Sequence, residues 1–346
     1  MSGSDASSSG VLTDASIIDQ TNSIQLLSRN ELDPLRWDAC VAGSTERIVY
    51  GYSWYLDAVL PKPDWQWVGL VIADEAGEYQ AVMPIPLRRK SVSGLTYSWV
   101  VHQPFFCQFL TVFRRDTSIN LAWFLEVMYQ TYRYASILNC RAEAETWQNS
   151  MRKRTVSTHV LDLSVGYTSI YSNYSSDRRR NLRLAQATDW IVIQLNDPQP
   201  LITLFRNNHA SDISGGVSGQ AYDMLEKLVQ ELIRRGLASL QYTTYEGKIE
   251  AGALFVQEGN RLIYLFNAAS EVGRRGNART LLIDQQIQKH AGRSIILDFE
   301  SPEKPSIRLF YESFGATEEG FCSLHWNRLT KLEQVAIALK NKIARH

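Results

Sequence analysis

Cysteine is the first shortage in this 346-residue chain. The four that occur, Cys40, Cys107, Cys140 and Cys322, lie far apart and form no C-x-x-C pair. Scattered thiols of this kind are more often reduced core residues than a disulfide framework or a thiolate zinc site. Net charge is also missing: 36 Lys+Arg balance 36 Asp+Glu, so no overall field favours nucleic acid or an anionic membrane. No apolar run approaches the roughly 18 residues of a membrane helix. The opening MSGSDASSSG has neither a basic n-region nor an apolar h-region, so it reads as a disordered tail rather than a signal peptide. These absences imply a soluble, cytoplasmic protein. Metal-ligand spacing, a P-loop and a nucleophile–base–acid set are absent from the sequence pattern too, and no metal is expected.

What is present is a globular composition, 45% hydrophobic with 21% charged residues. Length favours two domains. Residues 1–22 form the Ser/Gly-rich tail, 23–165 a first α+β domain, and 166–346 a second one. Asp33-Pro34 has the form of a helix start, with Asp as cap and Pro in the first turn. WQWVGLVIA and YQAVMPIPLRR read as strands around a DEAGE turn, FFCQFLTVF as another, and INLAWFLEVMYQTYR as a helix. The junction falls in a polar segment holding Arg178, Arg179, Arg180 and Arg183. AYDMLEKLVQELIRRG follows as an amphipathic helix stopped by Gly236, and KLEQVAIALKNKIARH closes the chain as a last helix. FLTVFRRDTSINLAWFLEVM faintly repeats YLFNAASEVGRRGNARTLLIDQQI as strand, basic loop and helix. The first copy lacks the loop glycines, so only the second would let backbone approach an anion.

Leu240 to Ala316 carries most of the candidate chemistry. Hairpin runs lead into Gly273-Arg274-Arg275-Gly276-Asn277-Ala278, a basic glycine loop before a helix. Free amides and the positive helix end suit a phosphate there, although an ordinary capped turn explains the spacing as well. Asp298 and Glu300 follow the buried-looking run SIIL. Two positions apart on a strand, they share a face, and partial burial suits a general base; a pairing of Asp298 with an arginine is the plainer alternative. Tyr311 could donate a proton, although a tyrosine among Leu and Phe is more often core. Arg179 and Arg183 could bind an anionic substrate, cofactor phosphates or RNA, or form the solvated face of a helix with Leu182 and Ala185 inward. His209 with Asp212 nearby is a further candidate base.

The order of hairpin, G-x-x-G-x-A loop, helix, strand, helix ending Tyr-x-x-Phe-Gly, and strand resembles the GNAT acyltransferase superfamily. More narrowly it resembles the tandem-GNAT group related to Fem-type peptidoglycan aminoacyl transferases. The likeness spans roughly residues 23 to 328. It implies an α/β (α+β) fold of two GNAT-like domains, each a mixed, mostly antiparallel sheet flanked by helices, with only the second holding cofactor. It also implies direct acyl transfer from acetyl-CoA or another acyl-CoA to a small-molecule or peptide-like amine. In the family pattern Gln/Arg-x-x-Gly-x-Gly/Ala, Gly276 and Ala278 take the fourth and sixth places, while Gly273 stands where Gln or Arg is usual. The resemblance assigns the cofactor to Arg274, Arg275, Gly276, Asn277 and Ala278. A backbone amide near Asn267, Ala268 and Ala269 would polarise the thioester, Glu300 or Asp298 would deprotonate the amine, and Tyr311 would protonate the leaving group. The alternatives are a Fem-like transferase using aminoacyl-tRNA on a cell-wall precursor, or a non-catalytic binding protein on a decayed GNAT fold. No room is visible for the helical arm usual in Fem-type enzymes, which counts against tRNA. A nucleic-acid partner is expected only with that donor.

Overall fold

The computed structural model describes residues 23–92, 95–141, 151–213, 215–301, 304–331 and 333–334. The expected N-terminal tail (1–22) and nearly all of the expected C-terminal helix (332–346) lie outside them. Thirteen strands form one sheet: β1 Gln25–Ser28, β2 Trp65–Ala73, β3 Tyr79–Val92, β4 Leu95–His102, β5 Phe113–Arg114, β6 Tyr134–Cys140, β7 Arg152–Asp162, β8 Ile191–Leu195, β9 Ala238–Tyr245, β10 Lys248–Glu258, β11 Arg261–Ala269, β12 Ile296–Asp298 and β13 Thr317–Asn327. The helices are α1 Pro34–Gly43, α2 Ser53–Val59, α3 Leu121–Thr131, α4 Tyr167–Ser172, α5 Ser176–Gln186, α6 Gln199–Asn208, α7 Gly219–Arg234, α8 Glu271–Arg275, α9 Ala278–His290 and α10 Pro305–Glu312. None of the described helices is long and apolar enough to cross a membrane.

Local chemistry accounts for these elements. Asp33 caps α1 by accepting from the Leu35 and Arg36 amides, with Pro34 in the first turn, as the sequence suggests. Along α7 the buried residues Met224, Leu225, Leu228, Val229 and Leu232 fall on one stripe, and Gly236 follows at φ +70. FFCQFLTVF is not one strand. Only Leu110 bridges to Cys140, and β5 is two residues long, because loop 103–109 turns back to bond β6.

The sheet order is β1-β2-β3-β4-β6-β13-β7-β12-β11-β10-β9-β8, with β5 beside β3. All neighbouring pairs on this path are antiparallel except β4–β6 and β11–β12. The series therefore reads the same from either edge: two halves of matching topology meet at β13–β7. Each half is completed by a strand from elsewhere in the chain. β7 crosses to pair with β12, and the late β13 pairs with β6. The boundary read near residue 165 thus falls after a strand that packs with the second half.

Strand alternation gives the sheet two buried faces. On β10 and β11, Leu254, Val256, Ile263 and Leu265 join one apolar cluster with α6, α7 and the first half. Ala253, Phe255, Leu262 and Tyr264 join the other, with Leu282, Ile283 and Ile287 of α9 and with Phe299 and Phe314. Helices therefore cover both faces, and the β11–β12 edge is held between them.

Candidate active site

β11 and β12 pair only over Arg261–Ile263 and Ile296–Asp298. β11 then continues to Ala269 while the other strand stops, so the two diverge. The gap is a cleft of about 340 Å3, walled by Tyr264, Leu265 and Asn267 of β11, Arg279 of α9, Phe299 and Glu300, and Phe310 and Tyr311 of α10. A second cavity, about 310 Å3, lies between the halves and is lined by Cys107, Gln108, Asn139, Ser157, Phe321, Glu300 and Ser301. Glu300 is common to both.

Glu300 owes this position to its backbone. Its φ of 46° lies in the left-handed region, costly for a side chain with a Cβ, and it turns the chain off the end of β12. The turn is held by the Glu300 amide donating to Asp298 Oδ1 at 2.9 Å. The two carboxylates therefore do not share a face, contrary to the strand-based expectation. Asp298 is fully buried and fully used. Its Oδ1 also accepts from Thr158 Oγ1 at 2.7 Å, and its Oδ2 takes Nε and Nη2 of Arg261 at 2.9 and 2.7 Å. Arg261 also pairs with Glu319.

Glu300 is enclosed by protein except where the cavities reach it. Burial raises its pKa to about 8, Asp298 pushes the same way, and the hydrogen bond from Tyr50 and the charge of Arg261 oppose. The Tyr50 hydroxyl donates to Glu300 Oε1. Burial and this carboxylate hold the phenol well above its ordinary range, so it stays a donor. Tyr311 is nearly buried, with its ring stacked on Phe299 at 4.5 Å and edge-on to Tyr264. Burial raises its pKa too. The Tyr264 hydroxyl is buried, lines the cleft, and has no partner among the described residues.

The glycine loop is not open. Glu271–Arg275 form α8, capped by Ser270, whose Oγ accepts from the Gly273 amide at 3.0 Å. The Arg274, Gly276 and Asn277 amides donate to Ser270, Val272 and Arg274 carbonyls. Both glycines are required by packing. A Cβ on Gly273 would lie 2.2 Å from the Glu250 carbonyl oxygen, and one on Gly276 would lie 2.4 Å from the Trp190 ring. That explains why the usual Gln or Arg is missing at 273. Asn277 takes φ 56°, which asparagine tolerates, and leads into α9 with Ala278 buried. Arg275 pairs with Glu271 at the surface, while Arg274 Nη1 donates to the Ala269 carbonyl at 3.1 Å.

At the end of β11, Ala268 and Ala269 are fully buried, and the Ala269 amide donates to Nε2 of His209 at 3.2 Å. Burial and the charges of Arg279 and Arg274 lower the His209 pKa, which favours the neutral ring this contact needs. Asn267 Oδ1 accepts from Arg279 Nη1 at 2.9 Å. Of the basic cluster, Arg183 is exposed and Arg179 bonds the Ser172 and Tyr174 carbonyls at the end of α4, so neither lines the cleft. Arg178, its buried neighbour, turns the other way. Its guanidinium bonds hydroxyls of Ser313 and Thr280 and lies 4.2 and 4.5 Å from the Phe310 and Phe314 rings. Burial lowers its pKa to about 10, so it stays cationic at neutral pH. Sequence reading missed Tyr50, Tyr264 and Arg279. Tyr50 meets Glu300 across 250 residues, and no local pattern marks such a pair.

No family model matches the sequence, and no curated protein matches it either. Solved structures do. FemX is similar with a TM-score of 0.62 at 12% identity, over 90% of this chain and 99% of that one. L-PGS from Bacillus licheniformis gives 0.51 at 13%, over 89% and 96%. A conserved protein of unknown function from Bacteroides thetaiotaomicron gives 0.52 at 9%, over 85% and 97%. The chain has the Fem-type, GNAT-like fold. At such identities the likeness speaks for fold alone, and the chemistry rests on the cleft.

Proposed function

We propose that the protein is an acyltransferase that moves an activated acyl group onto an amine at Glu300. The observation that carries this reading is a carboxyl group held near pKa 8 at the wall shared by two cavities. Such a group takes a proton from an ammonium or amine near neutral pH and shields the transfer from bulk water. The amine gives its proton to Glu300 and attacks the carbonyl carbon. The leaving atom departs with a proton from Tyr311, the hydroxyl beside it in the cleft. Tyr50 orients Glu300. Arg279, with Arg178 behind Phe310, supplies positive charge for an anionic donor or for the oxyanion. Asp298 takes no part in proton transfer here, because all its accepting positions are engaged.

Segment 270–278 bears on the choice of donor. An acyl-CoA pyrophosphate held by these amides would need α8 to open, since four of them already have acceptors. An aminoacyl ester such as aminoacyl-tRNA makes no such demand, and the FemX-like fold is compatible with it. Exposed Arg180 and Arg183 would then face RNA. Calorimetry with acetyl-CoA and filter retention of aminoacyl-tRNA test the two donors. Salt-sensitive retention of tRNA with no heat from millimolar acetyl-CoA is the expected result. Saturable heat from acetyl-CoA without tRNA retention would restore the acyl-CoA donor.

A further inference from the structure

The polar groups around Ser301 are connected in a way that direct amine transfer does not use. Ser301 follows Glu300 and lines the cavity between the halves. It lies 2.7 Å through Oγ from Nδ1 of His159 on β7. The other ring nitrogen, Nε2, lies 3.2 Å from Oε1 of Glu312, the last residue of α10. Ser301 and His159 are buried, whereas Glu312 is exposed.

The proton positions follow from the partners. An ionised carboxylate only accepts, so Glu312 holds a proton on Nε2 and leaves Nδ1 as an acceptor. The Ser301 hydroxyl then donates to Nδ1. Nucleophile, base and orienting carboxylate stand in series, the connectivity that activates a serine, with the two ring nitrogens exchanged relative to the serine proteases. Arg308 pairs with Glu318 and lies 3.7 Å from Glu312, so a cation already serves these carboxylates, and a metal at His159, Glu312 and Glu318 is the weaker reading. The left-handed turn at Glu300 places Ser301 beyond the end of β12, and its amide donates to Thr158 Oγ1 at 3.3 Å. Gln108 brings an amide donor beside it, Nε2 lying 3.5 Å from the Ser301 carbonyl.

We infer that Ser301 is an activated nucleophile, with His159 as its base and Glu312 as a positioning residue, and that it accepts acyl groups covalently from esters or thioesters in this cavity. Ser301 Oγ bonds to the carbonyl carbon as its proton passes to His159 Nδ1. The C–O or C–S bond to the leaving group breaks, and His159 returns the proton to the departing alkoxide or thiolate. The product is an O-acyl serine, open to attack by an amine or by water. The inference shares a cavity with the amine-transfer reading but does not depend on it.

A fluorophosphonate probe on the full chain tests the serine without any donor or acceptor. Ser301 Oγ should bond to phosphorus with loss of fluoride, seen by peptide mass spectrometry as one adduct on Ser301 and none in Ser301→Ala. Glu312→Gln, at an exposed position, should slow labelling at least ~10-fold, with an unchanged melting temperature and recovery in Glu312→Asp. No adduct, an adduct on another residue, or wild-type labelling of Glu312→Gln would overturn the inference. Absent labelling with intact amine transfer would remove the acyl-serine and leave direct transfer standing. Labelling without amine transfer would do the reverse.

Discussion

In the first half of the sheet, the parallel pair β4–β6 diverges after Val101–His102 and Ala135–Ile137, as β11–β12 diverges in the second. Loop 103–109 occupies the first gap, with Cys107 and Gln108 turned to the cavity between the halves. Gln103 donates from its amide to Ile137 and from Nε2 to the Cys107 carbonyl, its Oε1 takes the Asn139 amide, and Asn139 Nδ2 reaches the Gln108 carbonyl. The second gap remains a cleft of about 340 Å3 with Glu300 at its wall. One topology thus serves two ends: polar groups satisfied by loop 103–109 stabilise one half, and an enclosed carboxyl in the other stays available for chemistry.

The comparison breaks most sharply at Glu300. Glu300→Gln keeps the acceptor for Tyr50 but cannot take a proton, so turnover should fall by about 10²- to 10⁴-fold with the fold intact by circular dichroism. In the wild type the rate should rise with pH until Glu300 is ionised, near pH 8. Stability should run the other way. The folded pKa is raised, so the folded state binds the extra proton between the unfolded value of 4.5 and about 8. This contribution is full below 4.5 and is lost as pH rises through 8. Urea midpoints across that range should fall more steeply with pH for the wild type than for Glu300→Gln, the difference isolating Glu300 from the histidines that titrate in the same window. A shared slope would mean that Glu300 is not the buried acid.

Asp298 is the structural counterpart of Glu300 two residues away. Asp298→Asn leaves Arg261 buried with only Glu319 for charge, and it should cost about 3 kcal/mol, the lower end for a broken buried pair. The loss should appear in the urea midpoint rather than in turnover per folded molecule. For Tyr311→Phe the pattern reverses. Its hydroxyl has no partner among the described residues, so stability should hardly change, while turnover should fall about 10²-fold if it is the acid. Near-normal turnover would take it out of the mechanism.

Much of this was legible in the sequence, for reasons that can be named. Trp65–Ala73 is an apolar run of strand length bounded by a turn, the α7 stripe repeats at helical spacing, and Asp33-Pro34 caps α1; each is a local rule followed locally. The GNAT-like, Fem-type order of elements was legible too. The exchange of β7 and β13 was not, because a strand's sequence carries no sign of which neighbour it will join. The same holds for Tyr50 beside Glu300, and for Ser301, His159 and Glu312, which meet only through sheet register. In segment 270–278 the sequence left a phosphate loop and a capped turn side by side, for a different reason. Glycine spacing fits both, whereas in the fold Ser270, three residues before Gly273, caps a helix, and the glycines make room for the Glu250 carbonyl and the Trp190 ring.

The smallest expected effect lies in the filled gap. His102 Nδ1 contacts Ser136 Oγ at the point where β4 and β6 part. Burial, with Arg88 and Lys90 nearby, lowers the His102 pKa to about 4, so the ring is neutral at pH 7 and its hydrogen bond is an uncharged one. Ser136→Ala should therefore cost only about 1 kcal/mol and leave turnover unchanged. If it lowered turnover as much as Tyr311→Phe, the first half would be acting on the second through the shared strands β13 and β7. The contrast between a filled gap that stabilises and the cleft proposed to react would then fail, because the two would be parts of one site.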